Sequence, residues 1–224
     1  MPRDFWVLLP SGYKNDKAYP LIVGLHWLGG SATDVYFGNS WASGKPFYGL
    51  KELYGESAIF VAPLGLDAGW GNWNDSDIHF IGAMVKQLKQ GLCTDTSHIF
   101  ATGFSFGGAM SNAIGCQMGD VFRAVAPMSG FPFGCSPSPN KTAVIMFHAM
   151  EDAVVSYHFG EQARNDFIAK NNCSQATSRI GANGCVIYQG CSDNKPVAWC
   201  GYSPGGHWPP GFAATEIKSF FDRF

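Results

Sequence analysis

The sequence contains few charged residues and has no strong excess of either sign. Charged residues make up 14% of the 224 residues and the formal net charge is −2, so the chain offers no basic field for a nucleic-acid partner. No apolar run approaches the ~20 residues that a membrane span requires. No apolar stretch typical of a secretory signal follows Met1-Pro2-Arg3, which indicates a mature form or an excised domain. With 46% apolar residues, residues 1–224 are expected to form one domain with a substantial core.

Cysteine pairs of the CxxC type are also absent, which argues against a zinc or iron–sulfur site, and we expect neither a metal nor another cofactor. Four of the seven cysteines fall within residues 173–200, a stretch rich in Asn, Gly and Ser. Disulfides there would hold poorly regular chain, and they indicate an oxidising compartment and a secreted protein. Glycosylation triplets begin at Asn74, Asn140 and Asn172, although such triplets also arise by chance.

Short apolar runs alternate with helical patterns along the chain. The predicted strands are Phe5–Leu9, Leu21–Leu25, Ala58–Ala62, Ile99–Thr102, Ala124–Met128 and Val144–Phe147. The predicted helices are Asp75–Leu92, Gly107–Met118, Phe159–Asn171 and Phe212–Phe221. Strands that alternate with helices form mainly parallel sheets covered on both faces, so the pattern predicts an α/β fold.

A serine nucleophile is indicated by the segment Gly103-Phe104-Ser105-Phe106-Gly107, which fits G-x-S-x-G between a predicted strand and a predicted helix. A serine on such a sharp turn projects above the sheet, and the flanking glycines avoid collisions with neighbouring elements. The helix begins directly beneath it, so the Phe106 amide can donate to a developing oxyanion. The alternative interpretation is an ordinary glycine-rich turn.

The base that activates this serine must be a histidine, and in this fold class it follows the acid in chain order. Three histidines precede Ser105 and are in the wrong order: His26, His79 and His98. His148 closes a buried strand and fits a structural role, whereas His158 opens a helix at the surface. His207 lies in a Gly/Pro loop just before the last helix, so we predict His207 as the base, with His158 as the alternative.

The acid is predicted at the end of the strand Val144–Phe147. A loop begins there, and its carboxylates can reach the same sheet edge as the serine. Asp152 fits better than Glu151 because its short side chain can turn inward, where it would hold the histidine tautomer. The alternative is a solvated loop carboxylate, which is also how Asp166 and Asp193 are interpreted.

A second oxyanion donor should come from the loop after Leu21–Leu25, and we expect the backbone N–H of Trp27 or Leu28. Four tryptophans are candidate substrate contacts because their loops are expected at the catalytic face: Trp27, Trp70, Trp73 and Trp208. Flat aromatic faces there would favour an aromatic or sugar-bearing ester, although plain packing explains the last three equally well.

With these residues placed, the chain resembles the feruloyl esterases of carbohydrate esterase family 1, notably type D, which are related to polyhydroxybutyrate depolymerases. The resemblance runs through nearly the whole chain. It is carried by the segments RDFWVLLP (3–10), LHWLGG (25–30), IFATGFSFGG (99–108), HAMED (148–152) and PVAWC (196–200). Two positions depart from the family pattern: Ala149 replaces the usual glycine of His-Gly-x-x-Asp, and Trp27 stands where many relatives carry glycine.

The resemblance implies an α/β-hydrolase fold without a large lid and a triad of Ser105, Asp152 and His207. It also implies an extracellular enzyme that hydrolyses ferulate esters of plant cell-wall arabinoxylan. A fusion to a carbohydrate-binding module in a longer protein is compatible with the resemblance. The alternatives are an acetylxylan esterase or polyester depolymerase with the same triad, a peptidase, and a non-catalytic carbohydrate-binding module.

The disulfide pairing is predicted from separation along the chain. We expect Cys191–Cys200 first, because nine residues across a Gly/Pro-bearing hairpin can close with modest strain, and the family resemblance places a disulfide-bearing hairpin there. Cys173–Cys185 is the second expected pair. The remaining three, Cys93, Cys116 and Cys135, then leave one odd thiol.

Overall fold

A nine-stranded sheet forms the centre of the computed structural model, which describes residues 3–135 and 139–224. The strands are β1 (Phe5–Leu8), β2 (Tyr19–Leu25), β3 (Ile59–Pro63), β4 (Thr94–Phe104), β5 (Ala124–Met128), β6 (Ala143–Ala149), β7 (Thr177–Ile180), β8 (Cys185–Tyr188) and β9 (Val197–Tyr202). Their order in the sheet is β1-β3-β2-β4-β5-β6-β9-β8-β7. The six strands from β3 to β9 in this order are parallel, and β1, β8 and β7 join as antiparallel edge strands.

Helices cover both faces of the sheet. They are α1 (Ala32–Phe37), α2 (Leu50–Tyr54), α3 (Ser76–Gly91), α4 (Phe106–Gln117), α5 (Tyr157–Lys170) and α6 (Ala213–Phe221). Apolar residues of α3, α4 and α5 pack on one face, and those of α1, α2 and α6 pack on the other. The central strands are therefore buried on both sides, which explains their continuous apolar runs. None of the helices in the described ranges combines the length and apolar character needed to cross a bilayer.

The predicted strands and helices are confirmed, with boundaries that differ by a few residues. The short helices α1 and α2 and all three strands after α5 were not predicted. The most consequential of these is β9, which pairs in parallel with β6 from Val144–Val197 to Ala149–Tyr202. The stretch that we interpreted as a hairpin before His207 thus contains a central strand of the sheet.

Both predicted disulfides are wrong. Cys191 pairs with Cys173, and Cys200 pairs with Cys185, so neither Cys191–Cys200 nor Cys173–Cys185 forms. The reason is that Cys185 and Cys200 lie on the adjacent strands β8 and β9, whereas Cys173 and Cys191 lie in the segments that follow α5 and β8. A third disulfide joins Cys116 to Cys135. The odd thiol is Cys93.

Candidate active site

Ser105 occupies the sharp turn between β4 and α4. Its backbone lies at φ 56° and ψ −119°, a conformation that L-residues rarely adopt, and its amide donates to the Met128 carbonyl at 2.9 Å. A Cβ atom at Gly103 would collide with the backbone of Gly107, and a Cβ at Gly107 would collide with the carbonyl of Leu25. The two glycines of the motif are therefore required by the close approach of strand, turn and helix.

The structure brings Ser105, Asp152 and His207 together at the carboxyl edge of the sheet. His207 Nε2 lies 2.9 Å from Ser105 Oγ, and His207 Nδ1 lies 2.8 Å from Asp152 Oδ2. Because a carboxylate can only accept, Nδ1 must carry the proton of the neutral ring, which leaves the Nε2 lone pair facing the serine hydroxyl. The ring of Phe104 packs against the imidazole at a centroid distance of 4.8 Å.

Asp152 is buried, and burial alone would raise the pKa of its carboxyl group. Hydrogen bonds oppose this effect. His207 donates to Oδ2, and the amides of Val155 and Val154 donate to Oδ1 at 2.9 and 3.0 Å. These bonds outweigh the burial, so the pKa of Asp152 lies below its ordinary value. At neutral pH the carboxylate is charged and can stabilise an imidazolium on His207.

A second buried histidine, His148, lies near the same carboxylate oxygen of Asp152 as His207. Its Nε2 lies 2.8 Å from the Val155 carbonyl, to which it donates, and 3.5 Å from Asp152 Oδ2. Burial lowers the pKa of His148 despite the opposing effects of that carbonyl and of Asp152, so the ring is neutral near pH 7. This placement agrees with the structural role expected for His148. The alternative base, His158, is exposed on α5 and contacts Gln162 instead of the serine.

The loop after β2 is fastened by a third buried histidine. His26 Nε2 accepts the Gly65 amide at 2.9 Å, so its proton is on Nδ1, which donates to the Trp27 carbonyl at 2.8 Å. Burial lowers the pKa of His26 and keeps the ring neutral. Trp70 Nε1 donates to the His26 carbonyl at 2.8 Å. The peptide planes on both sides of Trp27 are thus held, which fixes the directions of the Trp27 and Leu28 N–H groups.

Trp27 and Leu28 line the same cavity as Ser105, and Phe106 begins the helix beneath it. The next two amides of the loop are already engaged: Gly29 donates to the Ala68 carbonyl at 2.7 Å and Gly30 to the Trp27 carbonyl at 3.1 Å. The amides of Trp27, Leu28 and Phe106 therefore remain the candidates for an oxyanion hole.

The cavity around Ser105 has a volume of about 740 Å³ and is mostly apolar. One side carries Trp41 and Trp208, whose ring centroids are 6.2 Å apart. Other lining residues come from the loop after β6, among them Ala153 and Val154, and from the loop after β2. The site thus offers two indole rings, inclined at 38° to each other, in the cavity of the candidate nucleophile.

The candidate substrate contacts divide into two groups. Trp27 and Trp208 line the cavity, as expected. Trp70 does not, because its side chain is fully buried beneath the loop, where it supports His26. Trp73 is 83% exposed, packs against Gly71 and does not line the cavity. Trp41, in the segment that follows α1, also lines the cavity and was not predicted.

Similarity to known proteins identifies the family of this chain. Residues 66–132 match the prolyl oligopeptidase family. The chain is 41% identical to a probable feruloyl esterase C of Aspergillus terreus over 92% of its own length and 76% of that protein. It is 36% identical to feruloyl esterase D of Neurospora crassa over 99% of its own length and 82% of that protein. The chain belongs to the feruloyl esterase family. As a member of this family it is a carboxylic ester hydrolase, and the resemblance found in the sequence is confirmed.

Solved structures show how widely the feruloyl esterase fold is shared. An acetyl xylan esterase from Aspergillus awamori superposes with a TM-score of 0.77 at 15% identity, covering 97% of this chain and 93% of that one. A CE1 ferulic acid esterase from Anaeromyces mucronatus, in complex with ferulic acid, gives a TM-score of 0.65 at 18% identity, covering 96% and 83%. At these identities the likeness concerns the fold, and the predicted α/β-hydrolase class is confirmed.

Proposed function

We propose that this esterase hydrolyses hydroxycinnamate esters, ferulate esters in particular, of plant cell-wall arabinoxylan through an acyl-enzyme on Ser105. The observation that carries the proposal is the unbroken chain of hydrogen bonds from Ser105 Oγ through both nitrogens of His207 to Asp152. The names of the relatives at 36–41% identity supply the substrate class.

In the first half of the reaction, His207 Nε2 takes the Ser105 hydroxyl proton as Oγ attacks the ester carbonyl carbon. The tetrahedral intermediate collapses when its C–O bond to the sugar breaks, and His207 returns the proton to the leaving sugar oxygen. In the second half, water attacks the acyl-enzyme and gives up a proton to His207. The carboxylic acid leaves and the proton returns to Ser105. Asp152 stays ionised throughout and stabilises the imidazolium.

The negative oxygen of each tetrahedral intermediate needs preorganised donors. We assign this role to the Phe106 amide at the start of α4, together with the amide of Trp27 or Leu28. The helix N-terminus adds a positive partial charge at the same place. Each such donor contributes on the order of 10²- to 10³-fold to the rate in enzymes of this type.

The cavity favours an acyl group with an aromatic ring. The indoles of Trp41 and Trp208 offer flat faces to a phenolic ring, and Val154 and Leu28 add apolar surface. A volume of about 740 Å³ is larger than an acetyl group needs. Three disulfides in the described residues fit an extracellular location, which we include in the proposal.

The test is a hydrolysis panel of methyl ferulate, a nitrophenyl acetate and a short hydroxybutyrate oligomer. We expect methyl ferulate to be the best substrate, and Ser105→Ala to lower its turnover by several orders of magnitude, as loss of a triad nucleophile does. The matched control is Ser178→Ala, at an exposed position on the edge strand β7, which should keep parental activity.

Other outcomes of the panel separate the alternatives. Fast release of acetate with slow turnover of ferulate would replace the proposal with an acetylesterase, and preference for the oligomer would indicate a polyester depolymerase. Parental turnover of methyl ferulate by Ser105→Ala would contradict the assigned nucleophile.

A further inference from the structure

Most of the exposed aromatic rings belong to two pairs, one of which lines the candidate active site. Among the described residues, six phenylalanine and tryptophan side chains are exposed. Four of them belong to two neighbouring pairs: Trp41 (67% exposed) with Trp208 (55%), and Phe37 (62%) with Trp6 (46%). Large exposed rings are costly for a monomer to leave in water, and such groupings mark binding sites.

The two pairs are connected through α1 and the segment that follows it. The rings of Trp41 and Trp208 are 6.2 Å apart, and so are those of Phe37 and Trp6, with Tyr36 in contact with both members of the second pair at 4.8 and 5.5 Å. Trp41 is the fourth residue after Phe37, which keeps their Cα atoms within about 14 Å of each other. The four rings together, Trp208 and Trp41 in the cavity wall, Phe37 on α1 and Trp6 on β1, are called the aromatic row.

The segment that carries this row is held in place by polar contacts. Asp34 accepts the Ser31 hydroxyl at 2.7 Å and the Asn39 amide at 2.6 Å, and the Ser31 oxygen caps the first turn of α1. Asp34 and Asn39 also line the cavity. The residues that anchor the segment bearing Phe37 and Trp41 therefore also line the cavity.

We propose that Phe37 and Trp6, in the part of the aromatic row outside the cavity, bind the polysaccharide main chain whose ester substituent enters the cavity beside Trp41 and Trp208. This inference rests on the proposed function. A neutral sugar chain is favoured as the occupant because the row is continuous with the cavity that would hold the substituent of that chain. Flat exposed rings suit the apolar faces of sugar units and require no charge.

Binding is tested on unsubstituted arabinoxylan, in the Ser105→Ala background, by retention in affinity electrophoresis. Trp6→Leu and Phe37→Leu remove a ring but keep apolar bulk, and each should weaken binding about two- to tenfold, the range expected for one aromatic contact. Trp73→Leu and Phe159→Leu, at exposed rings outside the row, are the matched controls and should bind like the parent. In the active enzyme, Trp6→Leu and Phe37→Leu should raise KM for feruloylated arabinoxylan with kcat unchanged.

The proposal is overturned if Trp6→Leu and Phe37→Leu retain parental binding, or if Trp73→Leu and Phe159→Leu lose as much. It is also overturned if the parent forms a concentration-dependent dimer that Phe37→Leu abolishes, because the row would then serve a second copy of the chain. Absence of methyl ferulate turnover by the parent would contradict the proposed function alone. In that case the role of the row would still be decided by the binding of unsubstituted arabinoxylan to the Ser105→Ala protein, because that measurement does not depend on hydrolysis.

Discussion

The amide substitution Asp152→Asn tests whether the carboxylate sets the proton position on His207. The Val154 and Val155 amides both donate to one oxygen of Asp152. In the variant, only the amide oxygen of the asparagine can accept these two bonds, so its NH₂ group must face His207 Nδ1. Nδ1 then becomes an acceptor and the ring proton moves to Nε2, opposite Ser105. The histidine keeps its place but loses its function as a base.

The structure therefore predicts a nearly complete loss of activity without a loss of fold. A wrong tautomer in a serine triad costs about 10⁴-fold in kcat, equivalent to ~5.5 kcal/mol of transition-state stabilisation. The assay is kcat and KM for methyl ferulate, with the midpoint of urea unfolding as a measure of stability. Asp166→Asn, the same substitution at an exposed position of α5, is the control and should match the parent. If Asp152→Asn lowered kcat by less than tenfold, the assigned tautomer and role of Asp152 would be refuted.

Three further predictions concern the groups that support the site. Trp70→Phe keeps a ring but leaves the buried His26 carbonyl without its hydrogen-bond donor, so the free energy of unfolding measured in urea should fall by about 1–3 kcal/mol. We also expect kcat to fall by a larger factor than KM rises. An unchanged kcat would show that this hydrogen bond does not affect catalysis. Burial lowers the pKa values of His26 and His148 in the native state, so between pH 7 and pH 5 these histidines bind more protons in the unfolded chain, where their pKa is about 6.5. The free energy of unfolding should therefore fall from pH 7 to pH 5, and equal stability at both pH values would contradict this. Replacing both Cys185 and Cys200 by serine removes a disulfide between residues 15 apart, and it should lower the free energy of unfolding measured in urea by about 3 kcal/mol. A decrease of less than 1 kcal/mol would argue against this pairing.

The sequence predicts those strands and helices whose burial shows in the apolar pattern of their own residues. Strands such as β3 and β5 are continuous apolar runs because helices cover both of their faces. The strand β9 is buried to the same extent over Val197–Cys200, but a proline precedes it, and glycine-rich and polar stretches flank it. Its place in the sheet comes from pairing with β6 and from the disulfide to Cys185, and neither is encoded in a short window of sequence.

The site residues also divide into those that a local sequence pattern indicates and those whose position depends on distant parts of the chain. Ser105, Asp152 and His207 could be proposed because each lies in a local motif, at the end of a strand or before a helix, in the chain order of the fold class. Trp41 could not, because its position at the cavity depends on α1, a six-residue helix with only two buried residues. Trp70 was misplaced for the converse reason: a tryptophan near an expected site looks the same in sequence whether it faces the cavity or supports the loop beneath it.

The sheet order gives the two hydrogen bonds of the candidate triad different structural origins. The acid and the base follow β6 and β9, which are neighbours in register up to Ala149 and Tyr202, and the Met150 amide donates to the Tyr202 carbonyl at 2.9 Å just beyond this pair. Local pairing thus sets the distance between Asp152 and His207. Ser105 follows β4, which is separated from β6 by β5, so the loop after β9 must reach back across the sheet to bring His207 to the serine. A change that displaces this loop, for example loss of the disulfide on β9, should therefore lengthen the His207–Ser105 contact before it disturbs the bond to Asp152.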